Sequence, residues 1–124
     1  MRLLTLLLLC VTLTGHAQEL PVYKGEILKR DGLLYKPFSN GPLTAKVEQY
    51  SDSGQLKYLY TAIDGKREGL FSSWHENGQL GWETTYANDG VEGLYGRWHE
   101  NGDLHSIKCF QGGEETDMPY CKEK

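Results

Sequence analysis

Two histidines, His75 and His99, stand 24 residues apart in equivalent contexts, and each is followed by a glutamate, Glu76 and Glu100. Imidazole beside carboxylate is a donor set for a divalent metal, provided that three or four ligands converge on one ion. If the two histidines lie on successive hairpins, two strand spacings of about 4.8 Å separate them, too far to share an ion. His105 reads opposite Arg97, which disfavours a cation there. No metal site is therefore expected, and His75 and His99 are read as strand-end residues packed beside turns.

The acids invite a second chemistry. Glu68 and Glu92 recur just before Gly69 and Gly93. Glycoside hydrolysis needs two carboxylates flanking a cleft, one with a raised pKa. Repeated acids at loop positions are more simply solvated turn residues that keep sheet edges soluble. A small hydrolase using these acids is the last of the alternatives. Ser51, Ser53, Ser72 and Ser73 lie in strands or turns without a G-x-S-x-G elbow. Neither a phosphate loop nor a dinucleotide fingerprint is present, so no catalytic residue and no cofactor are assigned.

The elements that would hold these residues follow from self-similarity. Three stretches align: YSDSGQL from residue 50, WHENGQL from residue 74 and WHENGDL from residue 98, a period of 24 twice over. Between them recur DGKREGL from residue 64 and NDGVEGL from residue 88. Each unit has two Gly-bearing turns separated by short segments rich in Tyr, Trp, Thr and Leu, which is a hairpin pattern. A three-residue loop, Glu76-Asn77-Gly78 with Gly78 left-handed, sets Trp74 opposite Leu80. Gly54 and Gly102 are the corresponding turn glycines.

With strict alternation from that pair, Leu70, Trp74, Leu80, Trp82 and Tyr86 share one face. Tyr50, Leu56, Tyr58 and Tyr60 continue it in the repeat before, and Leu94, Trp98, Leu104 and Phe110 in the repeat after. That aromatic–aliphatic stripe is the expected core. Phe71, Ser73, His75, Gly81, Glu83 and Thr85 then fall on the opposite face. Phe71, Tyr95, Arg97, His75 and His99 are the candidate interface residues, since aromatics and arginine are what protein interfaces favour. The alternative is that Phe71 and Tyr95 belong to a second, smaller core. The fold class is thus all-β: tandem hairpins forming an elongated, curved, mostly antiparallel single-layer sheet.

Four regions are expected. Residues 1–17 read as a secretory signal peptide, with Arg2, an apolar run from Leu3 to Leu13, and Gly15-His16-Ala17 at the cleavage site. Residues 18–45 form a capping segment, in which residues 19–40, with Lys24-Gly25-Glu26, Arg30-Asp31-Gly32 and Leu33-Leu34-Tyr35, supply a hairpin; residues 46–113 form the repeats, and residues 114–124 a tail. Removing the leader leaves Cys109 and Cys121, an even pair that in an oxidising compartment suggests one disulfide pinning the tail; free thiols are the alternative. The chain has 124 residues, Lys+Arg 13 against Asp+Glu 17, and a net charge of -4. Loss of Arg2 makes the exported form more acidic still. There is no basic surplus for a nucleic acid, and an acidic chain is disfavoured at an anionic membrane surface.

The unit EGLFxxWHENGQLxxETxY, residues 68–86, resembles the MORN-repeat variant of bacterial proteins often labelled YwqK-family antitoxins. The segments RDGLLY from residue 30 and NGPLT from residue 40 resemble the entry segment of such proteins. The resemblance implies a series of β-hairpins used as a scaffold or interaction module rather than an enzyme. The expected function is an exported, non-catalytic module that binds another envelope or secreted protein, in an antitoxin- or immunity-like manner. A cell-envelope glycan or lipid binder is the alternative. Open sheet ends leave pairing between chains, and so the oligomeric state, undecided.

Overall fold

The computed structural model describes residues 19–122. The expected leader, residues 1–17, lies outside the described residues. Two short pieces come first, β1 (Val22–Tyr23) and the hairpin β2 (Leu28–Arg30) with β3 (Leu33–Tyr35). The array follows as β4 (Ala45–Tyr50), β5 (Leu56–Ile63), β6 (Lys66–Trp74), β7 (Leu80–Ala87), β8 (Gly90–Trp98), β9 (Leu104–Gln111) and β10 (Glu114–Thr116). One short helix, α1 (Met118–Lys122), ends the described chain. The main sheet runs β1-β4-β5-β6-β7-β8-β9-β10, all antiparallel except that β1 pairs β4 in parallel.

Each end of the sheet carries a row of turns repeating every 24 residues. At one end, His75 N–H donates to the Gln79 carbonyl (2.8 Å) and Gly78 N–H to the His75 carbonyl (2.9 Å). Gly78 is left-handed, with φ 88°, and the same bonds recur around Gly54 and Gly102. This is the three-residue loop expected from the sequence. At the other end the turns have two residues, Asp64-Gly65, Asn88-Asp89 and Gly112-Gly113, all with positive φ. Such mirror-image turns match the right-handed twist of the strands they join.

The faces differ from the sequence reading. Trp74 pairs with Leu80 as expected, but Ser73 then pairs with Trp82, so Gly81 is an extra residue. Lys57 and His105 are extra at the equivalent places beside Leu56 and Leu104. A one-residue bulge inverts the alternation beyond it. Leu80 and Trp82, two residues apart, therefore lie on opposite faces. Trp74, Leu80, Trp98 and Leu104 belong to one face, and Trp82, Tyr86 and Phe110 to the other.

The core forms on the second of these. Leu43, Ala45, Val47, Tyr60, Ala62, Phe71 and Tyr86 are buried, with Tyr58, Trp82 and Val91 packed against them. Tyr23, Ile27 and Leu34 from the N-terminal pieces also pack against this cluster. Leu34 N–H donates to the Gly65 carbonyl at 2.9 Å, and Gly65 N–H to that of Leu43 at 2.7 Å, locking the small hairpin to the array. Along the face runs a ladder of rings, one per strand: Tyr60 on Phe71 (4.8 Å), Phe71 on Trp82 (4.7 Å), Trp82 on Tyr95 (5.4 Å) and Tyr95 against Phe110 (5.8 Å). The first three spacings lie close to that between hydrogen-bonded strands, so the sheet itself sets the stacking.

Several expected core residues are thus corrected. Leu70, Leu94, Leu104 and Tyr50 are exposed; Leu56, Trp74, Leu80 and Trp98 are half-buried. Phe71, expected outside, is buried at the centre. The expected disulfide joins Cys109 to Cys121 and fixes α1 beside β9.

Candidate functional site

The sequence candidates scatter. Phe71 is core, and Tyr95 and Arg97 share the ladder face, Tyr95 inside the ladder and Arg97 exposed. His75 Nε2 lies 2.8 Å from the Trp98 carbonyl, which only accepts, so that nitrogen carries the proton. His99 packs against His105, ring centres 4.5 Å apart. Arg97 pairs with Ser106, not His105, because His105 is the bulged residue. Among the described residues no group of three or more His, Cys, Asp or Glu is arranged to hold a metal.

The repeated acids prove to be turn caps. Asp64 N–H donates to Thr44 Oγ1 (2.7 Å), Asn88 N–H to Glu68 Oε1 (2.5 Å) and Gly112 N–H to Glu92 Oε1 (2.8 Å). Donors and acceptors each step by 24 residues. Glu92 also accepts the Tyr120 hydroxyl, tying α1 to the same network. At the opposite row of turns, Glu76 accepts from Ser51 and Ser53, which holds its carboxyl below the usual range. Asn77 Nδ2 likewise donates to the Glu100 carbonyl of the following turn at 2.7 Å.

Asp89 works between neighbouring hairpins. Its Oδ1 accepts from the Arg67 backbone N–H (3.0 Å) and from Arg67 Nε (2.8 Å), while the guanidinium lies 4.4 Å over the Tyr86 ring. Burial pushes this carboxyl up, but the bonds and charge of Arg67 outweigh it, and the group ends below its ordinary value. A folded-state pKa below the unfolded one contributes stability above the unfolded value and loses it as pH falls through the folded value. Asp89→Asn is therefore expected to be less stable by about 1 kcal/mol at neutral pH, after solvent screening. That gap should close on acidification through the carboxylate range. Urea denaturation of both proteins at several pH values checks this; a gap independent of pH would refute it.

What the fold leaves open is the sheet face away from the core. Leu70, Leu94, Leu104 and Ile107 are 59%, 50%, 52% and 44% exposed there. The Glu-Gly-Leu triplet explains the first two. Glu caps the next turn, and Gly69 and Gly93 take φ of 84° and 91°, which glycine adopts without strain. Around these glycines the strands shift register by two residues, between Leu59 and Thr61 and between Thr84 and Tyr86. The leucine that follows each glycine is thereby set outward.

Two depressions flank these leucines. One, of about 500 Å³, is lined by Leu59, Thr61, Glu68, Leu70 and Ser72 among others. The other, of about 610 Å³, includes Glu83, Thr85, Glu92, Leu94 and Gly96, the same positions one repeat later. The second gains Trp98, Ile107 and Cys121 as walls. Gly96 permits this: a Cβ there would lie 2.7 Å from the Trp98 ring, which folds across it. Sequence reasoning missed this groove because the bulges were not read. The Glu-Gly-Leu recurrence was its only signal.

The ring ladder offers less to a ligand. Its rings stack nearly parallel, 9° to 12° apart from Tyr60 to Tyr95, so their faces cover one another. A sugar stacks on an exposed ring face. Comparison of the chain with family models, curated proteins and solved structures finds no match.

Proposed function

We propose that this chain is an exported, non-catalytic repeat protein that binds another protein through the outward apolar face of its sheet, antitoxin- or immunity-like as its MORN-type repeats suggest. The observation that carries the reading is the row Leu70, Leu94, Leu104 and Ile107, apolar side chains standing in solvent along one face. Exposed apolar area gathered in a stripe and rimmed by polar groups is characteristic of association surfaces. The repeated acids support a non-catalytic role, since Glu68 and Glu92 are spent on backbone N–H groups.

The test is affinity capture with the oxidised exported form, residues 18–124, from an oxidising envelope extract of its source, with mass spectrometry of what is retained. A stoichiometric envelope or secreted protein is expected. The double variant Leu70→Asp, Leu94→Asp changes exposed residues and should keep the fold, yet weaken that complex about tenfold or more. Recovery of no stoichiometric protein, or undiminished binding by the variant, overturns the reading.

A further inference from the structure

The repeat stops partway through a strand. Strands β6 and β8 have nine residues each, whereas the equivalent β10 has three and pairs only with residues 109–111 of β9. Thr116 opposite Cys109 is the last pair. The chain then turns into α1, where Pro119 has no N–H to give a ladder. Residues 104–108 of β9 consequently have no strand on their outer side among the described residues. Leu104, His105, Ile107 and Lys108 are exposed.

The direction of the backbone groups follows from the turn. Gln111 and Glu114 close a two-residue turn and so form a hydrogen-bonded pair. Alternation then points the N–H and C=O of Cys109 and of Ile107 toward the outer side. The Ile107 and Leu104 side chains stand on the apolar face, since they pair with Gly96 and Trp98. Edge and groove are therefore continuous.

Charge selects the occupant. Residues 68–124 carry eleven acids and four bases, while the preceding part of the chain is basic on balance. Asp103 lies at one end of the open stretch and Glu115 at the other, where it pairs with Lys108 at 3.8 Å, and Glu83 and Glu92 line the groove, so acids outnumber the one lysine there. Building on the protein-binding reading above, we propose that residues 104–108 of β9 and the adjoining groove take an extended, basic segment of the partner protein. That segment adds a strand beyond β9, in line with β10, and sets apolar side chains beside Leu104 and Ile107. Strand addition of this kind draws affinity from the main chain and selectivity from alternate side chains.

The probe is a synthetic peptide, Lys-Lys-Gly-Leu-Tyr-Gly-Arg-Trp-Lys, which repeats this chain's own residues 93–98 with lysine flanks. Its counterpart carries glutamate in place of each lysine. Titrated into the oxidised protein, the basic peptide should slow amide exchange at Ile107 about tenfold or more. Its affinity should fall about tenfold between roughly 50 and 300 mM salt, and the acidic peptide should bind about tenfold more weakly. Ile107→Pro removes an outward N–H and should abolish binding with an unchanged near-ultraviolet dichroism spectrum.

No slowing at millimolar peptide, or equal binding of the two peptides, overturns the proposal. So does an Ile107 amide already protected without peptide in a sedimenting dimer, for then the edge belongs to a second copy of this chain. A captured partner that Ile107→Pro still binds, and that the basic peptide does not displace, also overturns it. In that case the protein-binding reading stands and only the edge is excluded.

Discussion

Phe71→Ala should destabilise the protein by about 3–5 kcal/mol, and Leu70→Ala, the adjacent residue, by well under about 1 kcal/mol. The two side chains point to opposite faces of β6 and differ in what they touch. Phe71 is 5% exposed and lies between Tyr60 and Trp82, stacked within 10° of both, with Tyr58 and Tyr86 tilted against it. Truncation removes the transfer energy of a buried ring and leaves a cavity walled by rigid aromatics that close it poorly. It also cuts the ladder between Tyr60 and Trp82, where each ring pair contributes about 0.5–1.5 kcal/mol beyond its buried area. Leu70 stands in solvent and gives up little. Chemical denaturation of the two variants beside the parent decides the matter. Equal losses, or a larger loss for Leu70→Ala, would mean that the sheet has been assigned the wrong inner face.

That pair of residues also marks where the sequence became illegible. The period, the two rows of turns and the left-handed glycine at 78 were readable, because a turn's backbone demands fall on one or two residues that only a few types satisfy. A hairpin within residues 19–40 was readable without its turn being fixed, and the Cys109–Cys121 bond was readable because residues 18–124 hold no other cysteine. The inner face was not. Alternation carries parity along a strand only while every residue is paired, and Gly81 breaks it with one unpaired residue. Nothing about Gly81 or its counterparts Lys57 and His105 announces a bulge, since the three share no side-chain property. The error then propagates: Leu70 and Leu94 enter the expected core and Phe71 leaves it. The groove that follows from the corrected parity was for that reason out of reach, although its Glu-Gly-Leu signature was in view.

Removing the disulfide, by Cys109→Ser with Cys121→Ser, should lower stability by about 3 kcal/mol in the chain-entropy account of a short closed loop. The two cysteines are 12 residues apart and both buried. The bond carries more than its loop length suggests, because α1 has only five residues and is far too short to persist by itself in water. Besides the bond, the Tyr120 hydroxyl donates to Glu92 and so reaches from the helix back to the sheet. Without the bond, α1 should leave β8 and β9 in openings much smaller than global unfolding. Amide exchange at residues 118–122 should therefore accelerate far more than that of β5 and β6, which hold the aromatic core. The groove loses its Cys121 wall in the same opening. Denaturation in the presence and absence of a reductant measures the global effect, and residue-resolved exchange measures the local one. If reduction left both unchanged, the tail would be held by packing alone. A uniform acceleration across all strands would instead show that the last hairpin and its helix unfold only with the whole sheet.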